Sequence, residues 1–69
     1  MAVLIYGKDR CPYTAAARED YAKRKVPYEY INVQADAAQL KEMLKHSKGA
    51  RKVPVIVDGG RVTIGFNGT

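Results

Sequence analysis

Ala2-Val3-Leu4-Ile5-Tyr6 is an unbroken apolar run that stops at Gly7. A run of this length ended by glycine reads as a strand buried on both faces, and such strands belong to sheets covered on both sides. This constrains the chain more than any other feature, because 69 residues must then supply two covering layers as well as the sheet. The next segments fit that demand. Pro12 to Lys25 has no glycine or proline after its first position and contains Ala15, Ala16, Ala17 and Ala22, so it reads as a helix with proline in its first turn. Val26-Pro27 ends it, since proline disfavours helical geometry in the residue before it. Tyr28-Glu29-Tyr30-Ile31-Asn32-Val33 alternates with the period of a strand. Strand, crossover helix and strand of these lengths form a parallel, right-handed βαβ unit.

The rest of the chain adds a second helix and a hairpin. Asp36 is placed to cap a helix in which Leu40, Met43, Leu44 and Ser47 recur at helical spacing, with Gly49 as its stop. Val53-Pro54-Val55-Ile56-Val57-Asp58 reads as a third strand. Gly59-Gly60 is a two-residue turn into a fourth, Arg61-Val62-Thr63-Ile64, and Gly65-Phe66-Asn67-Gly68-Thr69 reads as a loop. The expected class is α/β, in the order β-α-β-α-β-β around a four-stranded mixed sheet. Residues 1–69 are expected to form a single domain, since so short a chain leaves no room for two.

Cys11 is the only cysteine, and it stands between the first strand and the first helix. Unpaired N–H groups and the positive end of the helix dipole favour a thiolate there, and Lys8 and Arg10 add positive charge. The thiolate is the nucleophilic form of sulfur. A lone cysteine is more commonly a small buried hydrophobe, but a proline in the first turn and two flanking cations are unusual company for an inert thiol. One cysteine and one histidine, His46, exclude an intrachain disulfide and a cysteine-pair zinc cluster, so no metal site is expected. His46, between Lys45 and Lys48, reads as a solvated residue near a helix end; Tyr28 and Tyr30 read as sheet packing and Met43 as core.

An unpaired cysteine, with no basic leader and no membrane-length apolar run, leads to the expectation of a cytoplasmic chain without a membrane partner. The formal charge of +5, from twelve Lys and Arg against seven Asp and Glu, is spread along the chain. Its five tyrosines and one phenylalanine are scattered and make no stacking platform, so nucleic-acid binding is not expected. A field that draws small anions is the better use of the excess charge.

In this order and on these elements, Ile5-Tyr6-Gly7-Lys8, Cys11-Pro12-Tyr13-Thr14, Gly49-Ala50-Arg51-Lys52-Val53-Pro54, Gly59-Gly60 and Gly65-Phe66-Asn67 resemble a glutaredoxin, a small member of the thioredoxin-like superfamily. The resemblance covers nearly the whole chain. It implies a thioredoxin-like fold and a glutathione site, with glutathione as co-substrate and glutathionylated or disulfide-bearing proteins as partners. Cys11 would be the nucleophile, Lys8 and Arg51 the cations facing the glycine carboxylate of glutathione, and Tyr13 a wall beside its sulfur. Val53, before a Pro54 expected to be cis, would pair its backbone with the cysteine moiety of glutathione. Gly65, Phe66 and Asn67 would face the γ-glutamyl end.

Three departures from the family pattern shape the expected chemistry. Thr14 stands where dithiol members carry a second cysteine, so turnover would use one thiol: Cys11 takes glutathione from a protein and a second glutathione releases it. The Thr14 hydroxyl can serve the thiolate or bond back to its own helix. The helix that normally follows the Gly65-Phe66-Asn67 position is missing or vestigial, and Asp20 stands where relatives commonly carry an apolar residue. A face so exposed would stay bare or be hidden in a homodimer. Phe66 replaces a small or sulfur-bearing residue and would crowd the γ-glutamyl end. The competing functions are a homodimeric, glutathione-ligated [2Fe–2S] carrier, a non-catalytic domain that docks thiol proteins, and a peroxide-reducing thiol. Some short glutaredoxin-like proteins carry selenocysteine at the place of Cys11, and the resemblance leaves open a place for this chain near them.

Overall fold

The computed structural model describes residues 3–66. The elements run β1 (Val3–Gly7), α1 (Pro12–Lys23), β2 (Tyr28–Asn32), α2 (Ala37–Ser47), β3 (Val55–Asp58) and β4 (Arg61–Ile64). The sheet has the order β2-β1-β3-β4, with β1 parallel to β2 and antiparallel to β3, and β3 antiparallel to β4. This is the thioredoxin-like fold expected from the sequence, and the described residues hold no helix after β4.

The apolar run at the start of the chain lies in the middle of the sheet because both its faces can be buried. Val3 and Ile5 join Ala17 and Ile56 in a core under α1, with Tyr21, Val26, Tyr28 and Phe66 packed around it. Tyr6 joins Val33, Met43, Val55 and Val57 in a second core under α2, supported by Leu4, Ile31, Leu40 and Leu44. The alternation of side chains along β1 thus feeds two separate cores.

Several boundaries differ from those read in the sequence. Helix α1 ends at Lys23, two residues early, because Lys25 takes a left-handed φ of 57°. Lys25 N–H bonds to Ala22 O (3.1 Å) and Val26 N–H to Tyr21 O (3.0 Å), which closes the helix before Pro27 is reached. At α2 the expected stop is Gly49, yet the left-handed residue that caps the helix is Lys48 (φ 57°), with Gly49 following at φ 90°. Asp36 caps α2 as expected, accepting from Ala38 N–H at 2.9 Å. Strand β3 begins at Val55 and not at Val53, since Pro54 has no N–H to give to a ladder. In the hairpin turn only Gly59 takes a positive φ (61°), the pattern of a type II′ turn.

Candidate active site

Cys11 is the N-cap of α1, with extended backbone (φ −96°, ψ 115°) and Pro12 in the first turn. It is nearly buried, and its own N–H bonds to Lys8 O at 3.3 Å, which closes the Lys8-Asp9-Arg10 loop. Burial pushes the Cys11 thiol up. Against it stand the Thr14 hydroxyl, the Thr14 and Tyr13 backbone N–H groups and the Lys8 charge, and together they leave the thiol below its ordinary value. The N–H groups are the unpaired donors that a helix start supplies.

Thr14 lies one turn along the same helix and is almost completely buried (1% exposed). Among the described residues its Oγ1 has no formed hydrogen bond, either to its own helix or elsewhere. A hydroxyl buried in this way is costly unless an acceptor arises, and a thiolate at Cys11 accepts more strongly than the neutral thiol. Gly7 makes the arrangement possible. A Cβ at Gly7 would run into Thr14 Cγ2 and sit 2.6 Å from its Oγ1, so the end of β1 must be glycine for Thr14 to turn inward.

Around the loop lies a polar group with no counterpart in the motifs. Tyr30 of β2 donates its hydroxyl to Asp9 Oδ1 at 2.7 Å, and the Arg18 guanidinium of α1 lies 4.1 Å from the Tyr30 ring centre. Burial, then the bond and charge of Asp9, push the Tyr30 phenol up to about 12; Arg18 opposes this and the Cys11 charge adds to it.

Of the other residues singled out in the sequence, Tyr13 is exposed (44%) beside Cys11. The Val53-Pro54 bond is cis, Pro54 is buried, and Gly65 N–H bonds to Pro54 O at 2.7 Å, which brings the loop after β4 against the proline. Arg51 is exposed in the segment between α2 and β3. The buried Ser47 hydroxyl donates to Ala50 O at 2.7 Å and ties that segment to the end of α2. Phe66 packs on the core under α1 and lines an open groove of about 270 Å³ with Ala16, Glu19, Asp20 and Lys23. Asn67 lies outside the described residues. Among the described residues no cluster of three or more His, Cys, Asp or Glu could hold a metal ion, and no helix is long and apolar enough to cross a membrane.

The glutaredoxin family model matches residues 3–63. The chain belongs to the glutaredoxin family. That makes it a member of a family of thiol oxidoreductases, with Cys11 as its only thiol. Among solved structures, it is similar to NrdH-redoxin from Escherichia coli, described as a glutaredoxin-like protein with a thioredoxin-like activity profile (29% identity, 96% of this chain and 84% of that one, TM-score 0.81). It is also similar to the glutaredoxin Grx-1 from Archaeoglobus fulgidus (33% identity, 97% and 78%, TM-score 0.79) and to the thioredoxin-like protein BC3987 (28% identity, 93% and 86%, TM-score 0.79). No curated protein matches.

Within this glutaredoxin the motifs point to the cysteine and to Lys8, the helix start and Thr14 as its supports, but not to the residues that hold those supports in place. Gly7 could be read only as a strand end, because Thr14, which it accommodates, is seven positions away and comes into contact only through the fold. Ser47 fitted the apolar spacing of α2 and so passed as a packing residue. Tyr30 and Asp9 are 21 residues apart, and strand alternation already explained the tyrosine.

Proposed function

We propose that this glutaredoxin is a monothiol, glutathione-dependent thiol-disulfide oxidoreductase that removes glutathione from glutathionylated proteins. The observation that carries the reading is a sole cysteine whose thiol is lowered at a helix start, with a buried, unpartnered Thr14 hydroxyl where dithiol members have their second sulfur. The Cys11 thiolate attacks the glutathione sulfur of a mixed disulfide. The S–S bond breaks, the protein leaves as a thiolate that takes a proton from solvent, and Cys11 is left bonded to glutathione. A second glutathione, as thiolate, attacks that disulfide and regenerates Cys11, leaving oxidised glutathione. Two electrons pass from glutathione to the protein disulfide in the cycle.

The supporting residues follow the family pattern. Lys8 and Arg51 meet the glycine carboxylate, and Tyr13 lines the groove. The Val53 backbone before Pro54 pairs with the cysteine of glutathione, and the loop of Gly65, Phe66 and Asn67 meets the γ-glutamyl end. Thr14 donates to the thiolate during attack. Lys8 is the best supported of these cations, since its charge already acts on Cys11.

One observation favours a second source of electrons. The similarity to NrdH-redoxin, with its thioredoxin-like activity profile, admits a protein dithiol in place of the second glutathione. The test is turnover of a glutathionylated peptide with either glutathione or a thioredoxin reductase system as reductant, beside Cys11→Ser. The expected result is glutathione-driven turnover that the serine variant lacks. Turnover with the reductase alone would move the protein to the second reading, and wild-type turnover equal to that of Cys11→Ser would overturn both.

A further inference from the structure

Asp9 poses an electrostatic problem. It lies two residues before Cys11, nearer in sequence than any other acid, and a carboxylate beside the sulfur would oppose the thiolate. In the structure this carboxylate has a partner on β2. Its Oδ1 accepts the Tyr30 hydroxyl at 2.7 Å, and Tyr30 is in turn held against the Arg18 guanidinium at 4.1 Å. Among the described residues Arg18 Nε is buried without a hydrogen-bond partner, and its guanidinium rests on the ring. The groups acting on Cys11 are Lys8 from the loop and Thr14 and Tyr13 from the start of α1, and those acting on Tyr30 are Asp9 from the loop, Arg18 from α1 and Cys11 itself. Of the charged groups among the described residues, Lys8 is the one whose charge acts on Cys11.

We propose that Tyr30 is a positioning residue for the Cys11 nucleophile: its hydroxyl, braced by Arg18, holds the Asp9 carboxylate on β2 and away from the sulfur. The bond also fixes the Lys8-Asp9-Arg10 loop at its middle, so the cation at one end stays near the thiolate while the anion beside it is drawn aside. Tyr30 touches neither of the reacting sulfurs and acts through Asp9. The inference rests on reading Cys11 as a thiolate nucleophile.

The test is the rate of alkylation of Cys11 by iodoacetamide as a function of pH, clean because the chain has a single thiol. The wild-type midpoint tests the nucleophile reading; the difference between wild type and Tyr30→Phe tests this one. The phenylalanine keeps the ring against Arg18 and removes only the bond to Asp9. It is expected to move the midpoint to higher pH, so that alkylation near pH 6 slows about two- to threefold while the alkaline plateau is unchanged. Asp9→Asn, on the exposed loop, is expected to have a midpoint at or below that of wild type, and adding it to Tyr30→Phe should restore the wild-type rate or exceed it. Superimposed profiles for wild type and Tyr30→Phe would overturn the proposal. So would an equal slowing at every pH, or a double variant as slow as Tyr30→Phe alone.

Discussion

Val55 and Ile64 face each other on one rung of the β3–β4 ladder, yet Val55 is fully buried and Ile64 is 41% exposed. The contrast extends to the two sides of the molecule. On the β1 side, every residue of the strand except Leu4 is buried and each face has its own core. On the β4 side all four strand residues are exposed, and Phe66 with α1 leaves an open groove. The nucleophile belongs to the dense side, where Gly7 and Thr14 leave no spare volume. The seat of Thr14 is therefore held by the end of the central strand, while β4 can vary with little consequence for it.

The contrast can be broken by substitution on either side. Ile5→Ala, in the central strand, is expected to cost the most, about 2–5 kcal/mol by denaturant unfolding, because it opens a void in the core under α1. Gly7→Ala comes next, at about 1–3 kcal/mol, since its new Cβ meets the body of Thr14 and not the end of a flexible chain. If Gly7→Ala were neutral, the tight seat of Thr14 would be wrong. Thr14→Val keeps the shape and removes the hydroxyl. It is expected to leave stability nearly unchanged or to raise it, since the hydroxyl lacks a partner, while the Cys11 midpoint in a thiol titration moves up. Stability has a smaller alkaline component from Tyr30. Its phenol is raised in the folded state to about 12 from an ordinary 10.0, so the protonated form is favoured by folding. That contribution is complete below about pH 10 and is lost as pH rises toward 12, so the wild type should lose stability over that window faster than Tyr30→Phe. Ile64→Thr on the exposed edge should have the smallest effect, within about 0.5 kcal/mol of wild type. A loss there as large as that of Ile5→Ala would mean that the edge is covered.

Much of the fold could be read from local pattern, because the β1 run, the apolar spacing of α2 and the Gly59-Gly60 turn each respond to nearest neighbours and periodicity. The boundaries that moved did so for tertiary or capping reasons. Lys25 and Lys48 adopt left-handed geometry, which their side chains do not signal, and Pro54 withdraws Val53 from the ladder. The site was legible at Cys11, where the helix start is a local feature. Lys8 and Thr14 were legible with it, but their surroundings were not: Gly7 against Thr14 and Tyr30 on Asp9 exist only once β1, β2 and α1 have packed together.

The most direct test of the account is to mix the reduced protein with a glutathionylated peptide and follow it by intact-protein mass, alone and after adding glutathione. The account predicts transfer of one glutathionyl group to Cys11, release of the peptide thiol, and return to the unmodified mass when glutathione is added. Absence of the adduct under conditions in which the thiol is reduced and open to alkylation would contradict it.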